Sequence, residues 1–212
     1  MNKYKNLTKK LKEVFIGFYF DEEYEEFPYI EVDETDKEVL KNRYFGIDSF
    51  PMQMNAESAY GLLDTFWDLE KDKTRYLKQE EKFLRALLLI MSYSNDMIVS
   101  DGYFHSENKK HLKKVLSRKE LKYLKVIKDH IFDFKEIDFD YDAINLLMKL
   151  ALRERNHLTI YMLDLEIALD INGLYSGVYL GLNGNIDIVK YICNVEGLYI
   201  RDRWNEEPYN EY

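Results

Sequence analysis

Four histidines, one cysteine and a dense run of carboxylates are the side chains of this 212-residue chain best suited to chemistry. His105, His111, His130 and His157 lie at least six residues apart, so no H-x-x-x-H or H-E-x-x-H pair places two imidazoles on one helix face for zinc. Glu154-x-x-His157 has the spacing of half a di-iron site, but a complete one takes a second copy on a facing helix. There is no glycine-rich phosphate loop, no G-x-S-x-G and no calcium-binding D-x-D-x-D-G loop. Cys193 has no cysteine partner for an intramolecular disulfide, and its neighbours Tyr191 and Ile192 suit a structural thiol. Neither a metal nor a cofactor is expected, and no catalytic residue is selected.

The carboxylates are the stronger signal. Net charge is −9, and residues 21–38 (DEEYEEFPYIEVDETDKE) hold ten acidic residues against Lys37, so that segment alone carries the whole imbalance. Tyr24, Phe27, Tyr29, Ile30 and Val32 are interleaved with the acids, whereas a solvating acidic tail lacks aromatics. Carboxylates that steer and rings that anchor fit a basic protein partner. The expected contact residues are Asp21, Glu22, Glu23, Tyr24, Glu25, Glu26, Phe27, Tyr29, Glu31, Asp33, Glu34 and Asp36. The competing reading is a charged loop whose rings pack on the preceding helix. Residues 109–128 carry nine basic side chains against Glu120, but Leu112, Val115, Leu116, Leu121, Leu124 and Ile127 recur at helical spacing among them. That pattern predicts two amphipathic helices with solvated lysine faces, so nucleic acid is not an expected partner.

The elements that would position these residues read as helices almost throughout. Helical periodicity covers Leu7–Phe18, Tyr76–Tyr93, 106–116, 142–155, 157–171, 175–182 and 185–193. Thr35–Glu38 and Ser117–Glu120 have the spacing of capping boxes, and Asn55 can cap a helix to about Leu69. Phe45–Pro51 reads as a turn-rich connector, and the alternation of 132–141 as a short strand or extended link. The expected fold class is all-α, about ten short helices in a globular array. A soft boundary near 133–141 divides a helical region 1–132 from a hairpin region 133–212, packed as one unit. With 46% hydrophobic residues and 15% aromatics the chain can fill a bulky core. The longest apolar run, Ala86–Met91, is far short of the ~20 residues of a membrane span, and the N-terminus lacks a signal-peptide pattern. A cytoplasmic protein with no membrane partner is expected.

Asn172–Ile192 (NGLYSGVYLGLNGNIDIVKYI) resembles the second half of an ankyrin repeat at Gly173, Asn183-Gly184, Ile186–Val189 and Ile192. The resemblance implies stacked helical hairpins over 142–194 and a protein-binding role. Leu84–Leu116 is faintly similar to the helix–turn–helix unit of tellurite-resistance TerB-like domains, without that family's carboxylates after the turn.

The resulting functional expectation is a protein-binding module that occludes a basic toxin domain. In overall character it resembles the immunity proteins of bacterial polymorphic-toxin systems. Two alternatives stand beside it. One is a helical-repeat scaffold or regulator using Tyr175 and Tyr179; the other is an enzyme with a dispersed site near His105, His130 or Glu154.

Overall fold

Leu158, Ile160 and Met162 lie in one hydrophobic cluster, whereas Tyr161 between them lies in another. Adjacent residues that enter different cores make a strand, since side chains alternate across a sheet. The computed structural model describes residues 3–20, 30–31, 41–50, 68–69, 71–101, 109–128, 135–136 and 141–202. Its elements are α1 (Lys3–Val14), β1 (Tyr19–Phe20), β2 (Ile30–Glu31), β3 (Tyr44–Asp48), α2 (Lys73–Met91), β4 (Met97–Asp101), α3 (Lys109–Val115), α4 (Arg118–Lys128), β5 (Lys135–Glu136), α5 (Tyr141–Leu152), β6 (Leu158–Met162), β7 (Ile167–Ile171), β8 (Tyr175–Leu180), α6 (Asp187–Glu196) and β9 (Tyr199–Asp202).

Seven strands form one sheet in the order β5-β4-β6-β7-β8-β3-β9, with β5 only two residues long. Every neighbouring pair in it is antiparallel. The register runs Thr159↔Asp170↔Gly177↔Gly46↔Arg201 across five strands. Helices α2, α5 and α6 cover one face. Their Phe83, Leu87, Ile90, Ile144, Met148, Val189 and Ile192 pack with Val99, Ile160, Leu169, Val178 and Ile47 of the sheet. On the opposite face α1 and the β1–β2 pair bury Leu11, Phe15, Phe18, Phe20 and Ile30 against Ile98, Tyr161, Ala168 and Tyr179. Residues on both sides of 133–141 therefore contribute strands to a single sheet.

These observations overturn the all-α expectation: the protein is a mixed α/β fold around a large antiparallel sheet. Residues 157–171 are the β6–β7 hairpin instead of a helix, and 175–182 is mostly β8. Phe45–Pro51 begins as β3, flanked by β8 and β9. The ankyrin-like hairpins are absent, because three strands occupy 158–180 between α5 and α6. Gly173 sits in the β7–β8 turn with φ of 75° and Gly177 lies within β8. The helix–turn–helix likeness of Leu84–Leu116 also falls, since Met97–Asp101 is a strand. The cause is composition. The run from Leu158 to Ile171 is so rich in apolar residues that three- and four-residue spacings are met by chance, while its period-2 alternation sets the structure.

Helix expectations on amphipathic segments agree better. α1, α2, α3, α4, α5 and α6 fall where the spacing predicts them. In α3 and α4, Leu112 and Leu124 are buried, as is Leu116 between the two helices, while Lys113, Lys119, Lys122 and Lys125 are exposed. The Ser117–Glu120 capping box forms in both directions: the Ser117 amide donates to Glu120 Oε2 at 2.8 Å and the Glu120 amide to Ser117 Oγ at 3.2 Å. Lys149 Nζ adds a bond to Glu120 Oε1 at 3.1 Å. Burial alone would raise the Glu120 pKa, but the Ser117 and Lys149 bonds prevail and hold it at about 2. The Thr35–Glu38 box and the helix from Asn55 lie outside the described residues.

Candidate interaction site

The acidic segment is flanked in sequence by a fixed strand pair. Strand β1 pairs antiparallel with β2, Tyr19 opposite Glu31 and Phe20 opposite Ile30. Residues 21–29 join the two, and five of those nine are acidic. A two-residue ladder is weak by itself. Here it is held by packing: Phe20 and Ile30 are 1% and 4% exposed. Phe20 lies 6.3 Å from the Tyr161 ring and Phe15 5.7 Å from it. Phe18 meets Tyr179 edge-on at 5.4 Å, Tyr44 stacks on Tyr179 at 4.8 Å, and the Arg43 guanidinium covers Phe18 at 4.7 Å. Aromatic pairs in such geometries each contribute about 0.5–1.5 kcal/mol beyond their burial. Arg43 is fixed in turn by a 2.9 Å bond from its Nε to the Leu180 carbonyl.

Beneath this cluster runs a polar chain. The backbone of Ile30 hydrogen-bonds the Tyr161 hydroxyl, which also bonds Thr159. Thr159 Oγ1 donates to Asp170 Oδ1 at 3.2 Å, and His157 Nε2 bonds the same oxygen. Burial, followed by the Asp170 charge, pushes the Tyr161 pKa well above its usual value, so the hydroxyl keeps its proton. Arg201 pairs with Asp48 at 2.9 Å on the same sheet face.

Of the expected contact residues, Glu31 lies in β2, and Asp21, Glu22, Glu23, Tyr24, Glu25, Glu26, Phe27 and Tyr29 belong to the β1–β2 connection, outside the described residues. Asp33, Glu34 and Asp36 are likewise outside them. Sequence reasoning missed the residues that form the base: Phe18, Phe20, Tyr161, Thr159, Asp170 and Tyr179. Their signal was the alternation Thr159/Tyr161 against Leu158/Ile160/Met162.

The other chemical candidates resolve into structure. Glu154 and His157 share no helix; Glu154 is exposed in the turn after α5 with φ of 56°, and His157 engages Asp170. His105 and His130 lie outside the described residues. Among the described residues no group of three or more His, Cys, Asp or Glu side chains could hold a metal ion. Burial pushes the Cys193 thiol up to about 12. A groove of about 430 Å³ between α2 and α5 is lined by Glu80, Glu81, Arg85, Lys149 and Arg153 over Leu77, Leu84 and Leu88. Each of its cations already faces a carboxylate: Arg85 meets Glu81 and Glu196, Lys149 meets Glu120, and Arg153 meets Glu80. Among the described residues no helix is long and apolar enough to cross a membrane.

The chain was compared with protein-family models, curated proteins and solved structures, and none of them matches it, so the ankyrin and immunity-protein resemblances find no support there.

Proposed function

We propose that the protein is a binding module that engages a basic protein partner through the acidic β1–β2 connection and masks it by occlusion. A toxin domain neutralised in this way is the partner class proposed. The observation that carries this reading is the placement of five carboxylates between two strands whose ends are anchored in a buried aromatic cluster. A charged connection with both ends fixed loses less conformational freedom on binding than a free tail of the same composition. Concentrated negative charge raises the association rate with a cationic surface, and salt screens that gain. The strands over 158–180 remove the helical-repeat alternative.

The test compares the wild-type protein with a variant carrying Glu22→Lys, Glu23→Lys, Glu25→Lys and Glu26→Lys. Both are immobilised and exposed to extract from the source cell, and association rates of each retained basic protein are measured across a salt series. A basic protein that binds wild type, slows with added salt and is lost by the variant supports the reading. Equal binding to both proteins, or rates indifferent to salt, rejects it.

A further inference from the structure

We infer that the exposed face of α4, with Lys113 of the adjoining α3, is a second binding surface that takes the phosphate backbone of duplex DNA through charge alone. Arg118, Lys119, Lys122 and Lys125 are exposed along α4, and Lys113 is exposed in the last turn of α3. Arg118, Lys122 and Lys125 stand at i, i+4 and i+7, on one line of the helix about 10 Å long. Among the described residues no carboxylate pairs with any of these five cations.

That pattern sets this face apart from the other helices. Elsewhere exposed cations meet an acid one turn away: Lys9 meets Glu13, Arg75 meets Asp72 and Arg85 meets Glu81. On α4 the residue one turn away is another cation, and like charges at that spacing destabilise a helix. The one acid of α4, Glu120, is engaged by its capping box and by Lys149. The chain's negative imbalance resides in residues 21–38, and the β1–β2 pair packs on the opposite sheet face from α3 and α4. This surface is independent of the acidic connection, and either can bind without the other.

The chemistry of the face selects its occupant. A protein partner needs apolar anchors that become buried, and a membrane surface needs an apolar stripe that inserts. Here the apolar residues already pack into the protein: Leu112, Leu116 and Leu124 are buried, and Val115, Leu121 and Tyr123 pack against the same core. Phosphates need neither, because released counterions supply sequence-independent affinity. The major groove of B-form DNA, about 12 Å wide, admits a helix between its phosphate rows, whereas that of A-form RNA is deep and narrow.

Fluorescence anisotropy of the full chain with two short labelled DNA duplexes of unrelated sequence tests this. Roughly three to five phosphate contacts should make affinity fall about 40- to 500-fold between about 50 and 200 mM salt, equally for both sequences. Arg118→Ala combined with Lys122→Ala and Lys125→Ala should weaken binding at the low-salt end by about tenfold or more and flatten the salt dependence. Lys122→Glu alone should act in the same direction. Lys9→Ala, on α1 at the opposite sheet face, should change neither. All of these side chains are exposed, so thermal unfolding should stay as in wild type. Failure to bind either duplex at low salt, or binding indifferent to the triple variant, overturns the assignment. So does preference for an RNA duplex of the same sequence, or for phosphatidylserine vesicles, over DNA.

Discussion

Arg153, in the turn that follows α5, grips Glu80 of α2 with two guanidinium nitrogens, Nη2 to Oε1 at 2.6 Å and Nε to Oε2, while its third nitrogen reaches the Val115 carbonyl of α3. The two side chains are 8% and 4% exposed. One buried ion pair thereby ties the C-terminal end of α5 to α2 and α3. Tyr76 of α2 adds a bond from its hydroxyl to the Leu152 carbonyl at the end of α5.

Removing one member of a buried pair leaves an uncompensated charge, which costs about 3–5 kcal/mol, whereas replacing both by apolar groups of similar volume is often neutral. Arg153→Met should therefore lower unfolding free energy by about 3–5 kcal/mol, and Glu80→Leu combined with Arg153→Met should recover most of that loss. Urea denaturation of the two proteins checks this. A double variant as unstable as the single one would show that the pair itself, and not the orphaned charge, matters.

Glu120 supplies a pH signature. Its carboxyl is held at about 2, against an ordinary value of 4.5. A depressed carboxyl stabilises the fold above its unfolded value, and the contribution is lost as pH falls toward the folded value. Glu120→Gln keeps a capping-box acceptor but removes the charge facing Lys149. Near neutral pH it should be less stable than wild type by about 0.5–1 kcal/mol, the scale of a helix-terminal charge interaction. The difference should narrow between pH 4.5 and about 2. A gap that stays constant through that window would assign the effect to something other than ionisation.

How far the sequence discloses this fold depends on the physical contrast along each segment. The α4 start was legible because Ser117 and Glu120 have one effective way to satisfy each other's amides, and that way requires a helix. The first half of α2 was legible because Lys78, Glu80, Glu81 and Lys82 separate Leu77 from Phe83 and Leu84, which exposes the period. The β6–β8 region lacks that contrast. All five β6 residues are buried, so no solvent face prints a polar stripe. Asn172-Gly173 between apolar runs is a hairpin signal, and the chain does turn there between β7 and β8. The packing under the β1–β2 pair was hidden for a different reason: Phe18 and Phe20 meet Tyr161 and Tyr179 from more than 140 residues away. Charge segregation, by contrast, needs no fold to be seen.

Gly46 and Tyr175 make a close cross-strand contact. A Cβ on Gly46 would fall 2.1 Å from Tyr175 Oη and 2.6 Å from its Cζ. The ring therefore occupies the space a side chain would take between β3 and β8. Gly46→Ala should cost about 1–3 kcal/mol, the usual scale of overpacking. In a Tyr175→Ala background the same substitution should cost little, because residues in contact are not additive. A double-mutant cycle by thermal unfolding measures the coupling, and additive losses would refute the contact.

Cys193 lies on the inner side of α6, fully buried, with its thiol pushed up to about 12 by burial alone. The thiolate is the reactive form, so at mildly alkaline pH the native protein should label with iodoacetamide only through opening of α6 from α2 and the sheet. Reaction should be slow in the folded protein and rapid and stoichiometric in denaturant. It should also accelerate in Arg153→Met, because loss of the buried pair raises the population of open states. Fast native labelling, equal to that of the unfolded chain, would contradict the packing of α6 against the sheet.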